Sequence, residues 1–151
     1  MEKNSETNWQ GLFGKTLISK DGDIKVDQST FQNVDYIGVY FTCTDNEPCK
    51  KFAKVMMDRY NALNAAGKKF QVVFVDAGDD LGGFQQNFSG MPWLALPHSN
   101  LEVNDNLCDK FQCDNVPHLA IVQVRTGQTI TTDAVLKIER PNFLEEFPFP
   151  I

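Results

Sequence analysis

The chain has 151 residues, a length that one domain fills. It is 42% hydrophobic and 11% aromatic, with 12 phenylalanines, which is ample for a packed core. A formal charge of −6 excludes the basic face that a nucleic-acid binder needs and argues against a role on anionic membrane surfaces.

The opening "MEKNSETNWQ" is polar, without the apolar core of a secretory signal, so residues 1–11 read as a flexible tail ahead of a single domain over 12–151. "KTLISKDGDIKVD" then reads as a hairpin, with Lys15–Ser19, a turn at Asp21-Gly22, and Ile24–Val26. "DYIGVYFT" is a near-continuous apolar run, the pattern of a strand buried on both faces.

"PCKKFAKVMMDRYNALNAAGKK" predicts a long helix. Phe52, Val55, Met56, Tyr60 and Leu63 recur at steps of three and four, and Gly67 supplies a stop. "FQVVFVDAG" is a second buried strand, so the two strands of this βαβ unit are expected to be parallel.

"DLGGFQQNFSG" predicts a short helix, and "MPWLALP", between Pro92 and Pro97, an extended segment. "NLEVNDNLCDKFQC" predicts a helix with Leu101, Leu107 and Phe111 inward. "HLAIVQVRTGQTITTD" predicts a hairpin turning at Thr126-Gly127, and "AVLKIERPNFLEEF" a closing helix broken by Pro141. Helices alternating with parallel and antiparallel strands imply an α/β three-layer arrangement.

These segments resemble the tryparedoxin and nucleoredoxin branch of the thioredoxin superfamily, from Phe13 to about Pro150. "LFGKTLISKDGDI" is similar to the family's N-terminal hairpin, and "VYFTCTDNEPCKKF" lies over its redox strand-loop-helix, usually written W-C-P-P-C. "MPWLALP" is the most specific piece, "NVPHL" sits at the family's cis-proline loop, and "FPFP" looks like its closing segment. The resemblance implies a thioredoxin-like three-layer fold, with a mixed central sheet flanked by helices and an N-terminal β-hairpin. It also implies a cis bond at Val116-Pro117.

The redox loop departs from this pattern. With Cys49 laid on the resolving cysteine, Pro48 keeps its place, but Asp45 replaces the tryptophan, Asn46 the nucleophilic cysteine and Glu47 the first proline. Asn46 cannot attack a disulfide, but Asn is among the best helix N-caps; with Pro48 lacking an N–H, the Cys49 amide is the natural donor to it. Asp45 and Glu47 add negative charge beside the remaining thiol, which works against a thiolate. Cys49 also reads as a small buried hydrophobe inherited from the family site.

Cys43 ends the strand just before this helix, so a Cys43–Cys49 pair is the one nearby dithiol the sequence allows. Cys108 and Cys113, five apart, fall on different faces of a continuous helix and are not expected to pair.

Two functions follow. The first is a divergent family member without dithiol activity, binding a protein or peptide partner at a face made by Pro48, Trp93, Val116, Pro117 and His118. The second is an atypical thiol–disulfide oxidoreductase using Cys49 with Cys43 or with an external low-molecular-weight thiol. No cofactor is expected. A zinc or iron–sulfur site built from Cys43, Cys49 and His118 has no supporting spacing, so no metal is expected either. His98 and the acidic "DAGDD" read as surface loop and solvated turn. Four cysteines without a signal sequence suit a reducing compartment, and the cytoplasm is the expected location.

Overall fold

The apolar run Tyr36–Thr42 forms β3, and every residue from Ile37 to Thr42 is buried. A strand with both faces apolar must be covered on both sides, and this one lies inside the sheet. It pairs in parallel with β4 (Phe70–Asp76), with Tyr36 opposite Phe70 and Thr42 opposite Asp76. On its other edge it pairs antiparallel with β6 (His118–Gln123). The computed structural model describes residues 7–44, 46–78 and 80–150.

The full order begins with α1 (Trp9–Phe13), β1 (Thr16–Ser19), β2 (Gly22–Lys25) and β3. It continues through α2 (Glu47–Ala65), β4, α3 (Leu81–Ser89), β5 (Leu94–Ala95) and α4 (Leu101–Lys110). It closes with β6, β7 (Thr129–Thr131), α5 (Val135–Ile138) and α6 (Phe143–Glu146). The seven strands run β2-β1-β5-β4-β3-β6-β7 across one mixed sheet. Among the described residues, no helix is long and apolar enough to cross a membrane.

The period-two alternation of the strands divides the core in two. Tyr40, Val72, Phe74, Leu119 and Ile121 face one side, where Phe52, Met56 and Leu63 of α2 cover them. Ile37, Val39, Phe41, Val73 and Val75 face the other, covered by Trp9 and Phe13 of α1 and Leu107 of α4. The α2 helix ends where Gly67, at φ 82°, lets the Gly67 and Lys68 amides reach back to Asn64 and Leu63.

Four sequence expectations need correction. Residues 9–11 are not tail: Trp9 and Phe13, one helical turn apart, are buried against Phe31, and the Asn8 side chain caps their helix. Residues 1–6 of that predicted tail lie outside the described residues. The first hairpin turns at Lys20-Asp21, because Ser19 pairs with Gly22. Leu101 is 65% exposed, because the Asn100 cap phases α4 so that Leu107 and Phe111 point inward instead. Cys108 and Cys113 do not sit on a continuous helix, since α4 stops at Lys110 and the chain reverses at Gln112, φ 58°.

Gly38 occupies the middle of β3 for a steric reason. A Cβ there would lie 2.7 Å from Phe70 Cζ and 3.2 Å from Leu119 Cδ1. The Phe70 ring has no retreat, being buried edge-on against Phe147 and tilted against Tyr60. Gly38→Ala is expected to cost about 1–3 kcal/mol, read as a lower urea midpoint at unchanged slope.

Candidate functional site

The carboxyl ends of β3 and β4 meet the start of α2, the position where open α/β sheets place their chemistry. The Ala77 amide donates to the Thr42 carbonyl at 2.9 Å and holds these two strand ends together. Cys43 follows Thr42 directly. Asp45, at the family's tryptophan position, lies outside the described residues, as does Asp79.

Asn46 then caps α2 in extended conformation, φ −127° and ψ 122°, and its Oδ1 accepts the Cys49 amide at 3.1 Å. Pro48 occupies the first turn, where its missing N–H leaves no bond unmade. Glu47 adds a favourable negative charge at the same helix end.

The cap sets the direction of Cys49. Its side chain, 1% exposed, points back to the strand, and its Sγ lies 4.0 Å from Cys43 Sγ. Cys43 is half-buried and Cys49 fully buried. All four cysteines are thiols, with no disulfide between them. The site therefore joins a partly accessible thiol to an inaccessible one within thiol hydrogen-bonding range.

The surroundings are apolar on one side and polar on the other. Burial pushes the Tyr40 phenol up to about 12, so it stays neutral over the physiological range. On the polar side Asp76, at the end of β4, is 6% exposed, and His98 Nδ1 lies 3.2 Å from its Oδ2. Asn104 Nδ2 donates to the Asp76 carbonyl at 2.9 Å. His98 is thus no surface loop residue but the partner of a buried carboxylate, and the first acidic residue of "DAGDD" belongs to the site wall. The polar residue closing an otherwise apolar strand was the available signal for this pair.

The remaining expected residues fall in two places. The Val116–Pro117 peptide bond is cis, and Pro117 and His118 border a shallow cleft of about 210 Å³ shared with Val135, Leu136, Lys137 and Arg140. His118 faces away from base chemistry: its Nε2 donates to the Phe111 carbonyl at 2.8 Å, and its ring tilts on Phe41. Trp93 is 2% exposed and packs edge-on against Tyr40 and Tyr60, so it offers no aromatic face to a partner. Among the described residues, no group of three His, Cys, Asp or Glu side chains is arranged to hold a metal ion.

The family model for thioredoxin-like domains matches residues 33–129, which includes the thiol pair and the cis-proline loop. The chain belongs to the thioredoxin-like family. It is 32% identical over 114 residues to nucleoredoxin from Xenopus laevis, covering 76% of this chain and 27% of that protein. The chain therefore spans about a quarter of the length of the nucleoredoxins it matches.

Tryparedoxin from Trypanosoma brucei brucei is 28% identical over 134 residues, covering 89% of this chain and 90% of that one. The crystal structure of tryparedoxin I from Crithidia fasciculata superposes with a TM-score of 0.83 at 26% identity, over 99% of both chains. The mixed α/β sandwich is thus the fold of a redox family.

The Asn46 cap is tested by truncation. Asn46→Ala is expected to lower stability by about 1 kcal/mol in chemical unfolding, and Asn46→Asp to retain most of it. Equal losses for both would place the Asn46 contribution elsewhere.

Proposed function

We propose that this domain is a thiol–disulfide oxidoreductase whose dithiol has moved: Cys43 attacks and Cys49 resolves. The observation that carries the reading is the 4.0 Å approach of the two sulfurs, one half-buried and the other buried at the start of α2. Disulfide exchange asks for one accessible attacking thiol and one protected resolving thiol. Cys43 and Cys49 meet both requirements despite the C-x5-C spacing. A disulfide bond is about 2.05 Å long, so the sulfurs must close by roughly 2 Å.

The steps balance. The Cys43 thiolate attacks one sulfur of a substrate disulfide, and the other substrate sulfur leaves as a thiol. Cys49 gives up its proton and attacks the Cys43 sulfur. A Cys43–Cys49 disulfide forms and the second substrate thiol departs. The protein loses two electrons and the substrate gains them; an external dithiol or two molecules of a low-molecular-weight thiol restore the reduced pair.

Substrate is expected to be a protein or peptide disulfide lying along the cis-Pro117 loop, where Val116, Pro117 and His118 begin an edge that extended backbone pairs with. Pro48 stiffens the loop carrying Cys49. A pair that cycles in this way suits a reducing compartment such as the cytoplasm.

The other reading is a peptide-binding module that has lost its chemistry, with Asn46 at the lost nucleophile. It leaves the thiol contact without a role, and the buried Trp93 removes the aromatic face it relied on.

Reduction of a model protein disulfide separates the two. The unaltered chain is expected to turn over, with Cys43→Ser and Cys49→Ser both falling to background. Cys49→Ser should in addition accumulate a mixed disulfide on Cys43. Turnover that survives Cys43→Ser, or no turnover by the unaltered chain, would overturn the proposal, the latter in favour of the binding module.

A further inference from the structure

A second pair of thiols meets where α4 ends. Its last turn closes with two reversed hydrogen bonds. The Cys113 amide donates to the Cys108 carbonyl at 2.9 Å, and the Gln112 amide to the Asp109 carbonyl at 3.4 Å. Gln112 sits in the left-handed region at φ 58°, a conformation usually left to Gly or Asn. Together these make a Schellman cap, in which the third helical residue from the end and the second residue beyond the cap touch through their side chains. That contact is normally hydrophobic. Here the two residues are Cys108 and Cys113.

The thiols use the contact. Cys108 Sγ donates to the Cys113 carbonyl at 2.9 Å, and the Cys108 side chain lies within hydrogen-bonding range of the Cys113 thiol. A direct backbone hydrogen bond between two residues brings their Cα atoms into the window of about 4.4–6.8 Å that a disulfide spans. Both cysteines are half-buried, so a small reagent can reach them without unfolding.

We propose that Cys108 and Cys113 are a second redox pair, forming a reversible disulfide across the Schellman turn with a low-molecular-weight disulfide as oxidant. The Cys108 thiolate attacks that disulfide, forms a mixed disulfide and releases one small thiol. Cys113 then loses its proton to solvent and attacks the Cys108 sulfur, releasing the second small thiol. Two protein thiols are oxidised and one small disulfide is reduced to two thiols. Burial and then the neighbouring Cys108 push the Cys113 thiol up to about 12, which makes Cys113 the second of the two to act.

The placement connects this pair to the site. The Cys113 thiol donates to the Asn115 carbonyl at 3.7 Å, and His118 donates to the carbonyl of Phe111, inside the same turn. A bridge here fixes the segment from which the cis-Pro117 loop departs. The inference does not rest on the chemistry of Cys43 and Cys49, and its test removes them.

The full chain carrying Cys43→Ser and Cys49→Ser is incubated with oxidised glutathione at graded ratios to reduced glutathione, then alkylated and weighed intact. The expected product is lighter by two hydrogens, carries no alkyl group, and reverts in excess reduced glutathione. Two alkylated thiols at every ratio would overturn the proposal, as would a persistent glutathione adduct on either cysteine. Should the double variant fold poorly, peptide mapping of the unaltered chain decides. A Cys108–Cys113 cross-link supports the pair, and a link from either residue to Cys49 contradicts it.

Discussion

One hydrogen bond decides where the long helix begins. The Cys49 amide donates to the Asn46 side chain, and with Pro48 unable to donate, no other first-turn arrangement satisfies the orphan amides as simply. Had the helix started a residue earlier or later, the Cys49 side chain would have rotated by about 100° about its axis. It then would not face the strand end that carries Cys43. The residue standing at the attacking position of the family thus has a structural task, and that task orients the thiol that remains.

This local event works only because the sheet is rigid beneath it. Both faces of β3 are covered, by α2 on one side and by α1 and α4 on the other, so its end is fixed relative to the helix. Gly38 is part of that rigidity, giving the Phe70 ring the space a methyl group would fill. Next door, the buried Asp76 is held by His98 and by backbone contacts, so the polar wall of the site is as well defined as its apolar wall.

Much of the fold was legible because the signals are local. Asp-Gly, Gly67, Gly127 and the periodicities of β3, α2, β4 and β6 each speak for their own segment. The Asn46 cap was legible for the same reason, since capping depends on three residues of sequence. What escaped depended on distance or on phase. Trp9 and Phe13 form one helical turn inside a polar stretch whose composition masks them. Leu101 lost its inward position to the phase set by Asn100. The Asp76–His98 contact spans 22 positions and exists only once the sheet has formed. The meeting of Cys108 with Cys113 needed Gln112 to adopt a left-handed conformation that its residue type does not announce.

The central claim is that Cys43 and Cys49 form a working dithiol. The most direct measurement is a redox titration of the unaltered chain between about −320 and −120 mV, the span of thioredoxin-like potentials, with alkylation read peptide by peptide. A reversible Cys43–Cys49 disulfide with a midpoint inside that window is the predicted result. Both residues remaining alkylatable at every potential would contradict it, and the 4.0 Å contact would then be packing alone.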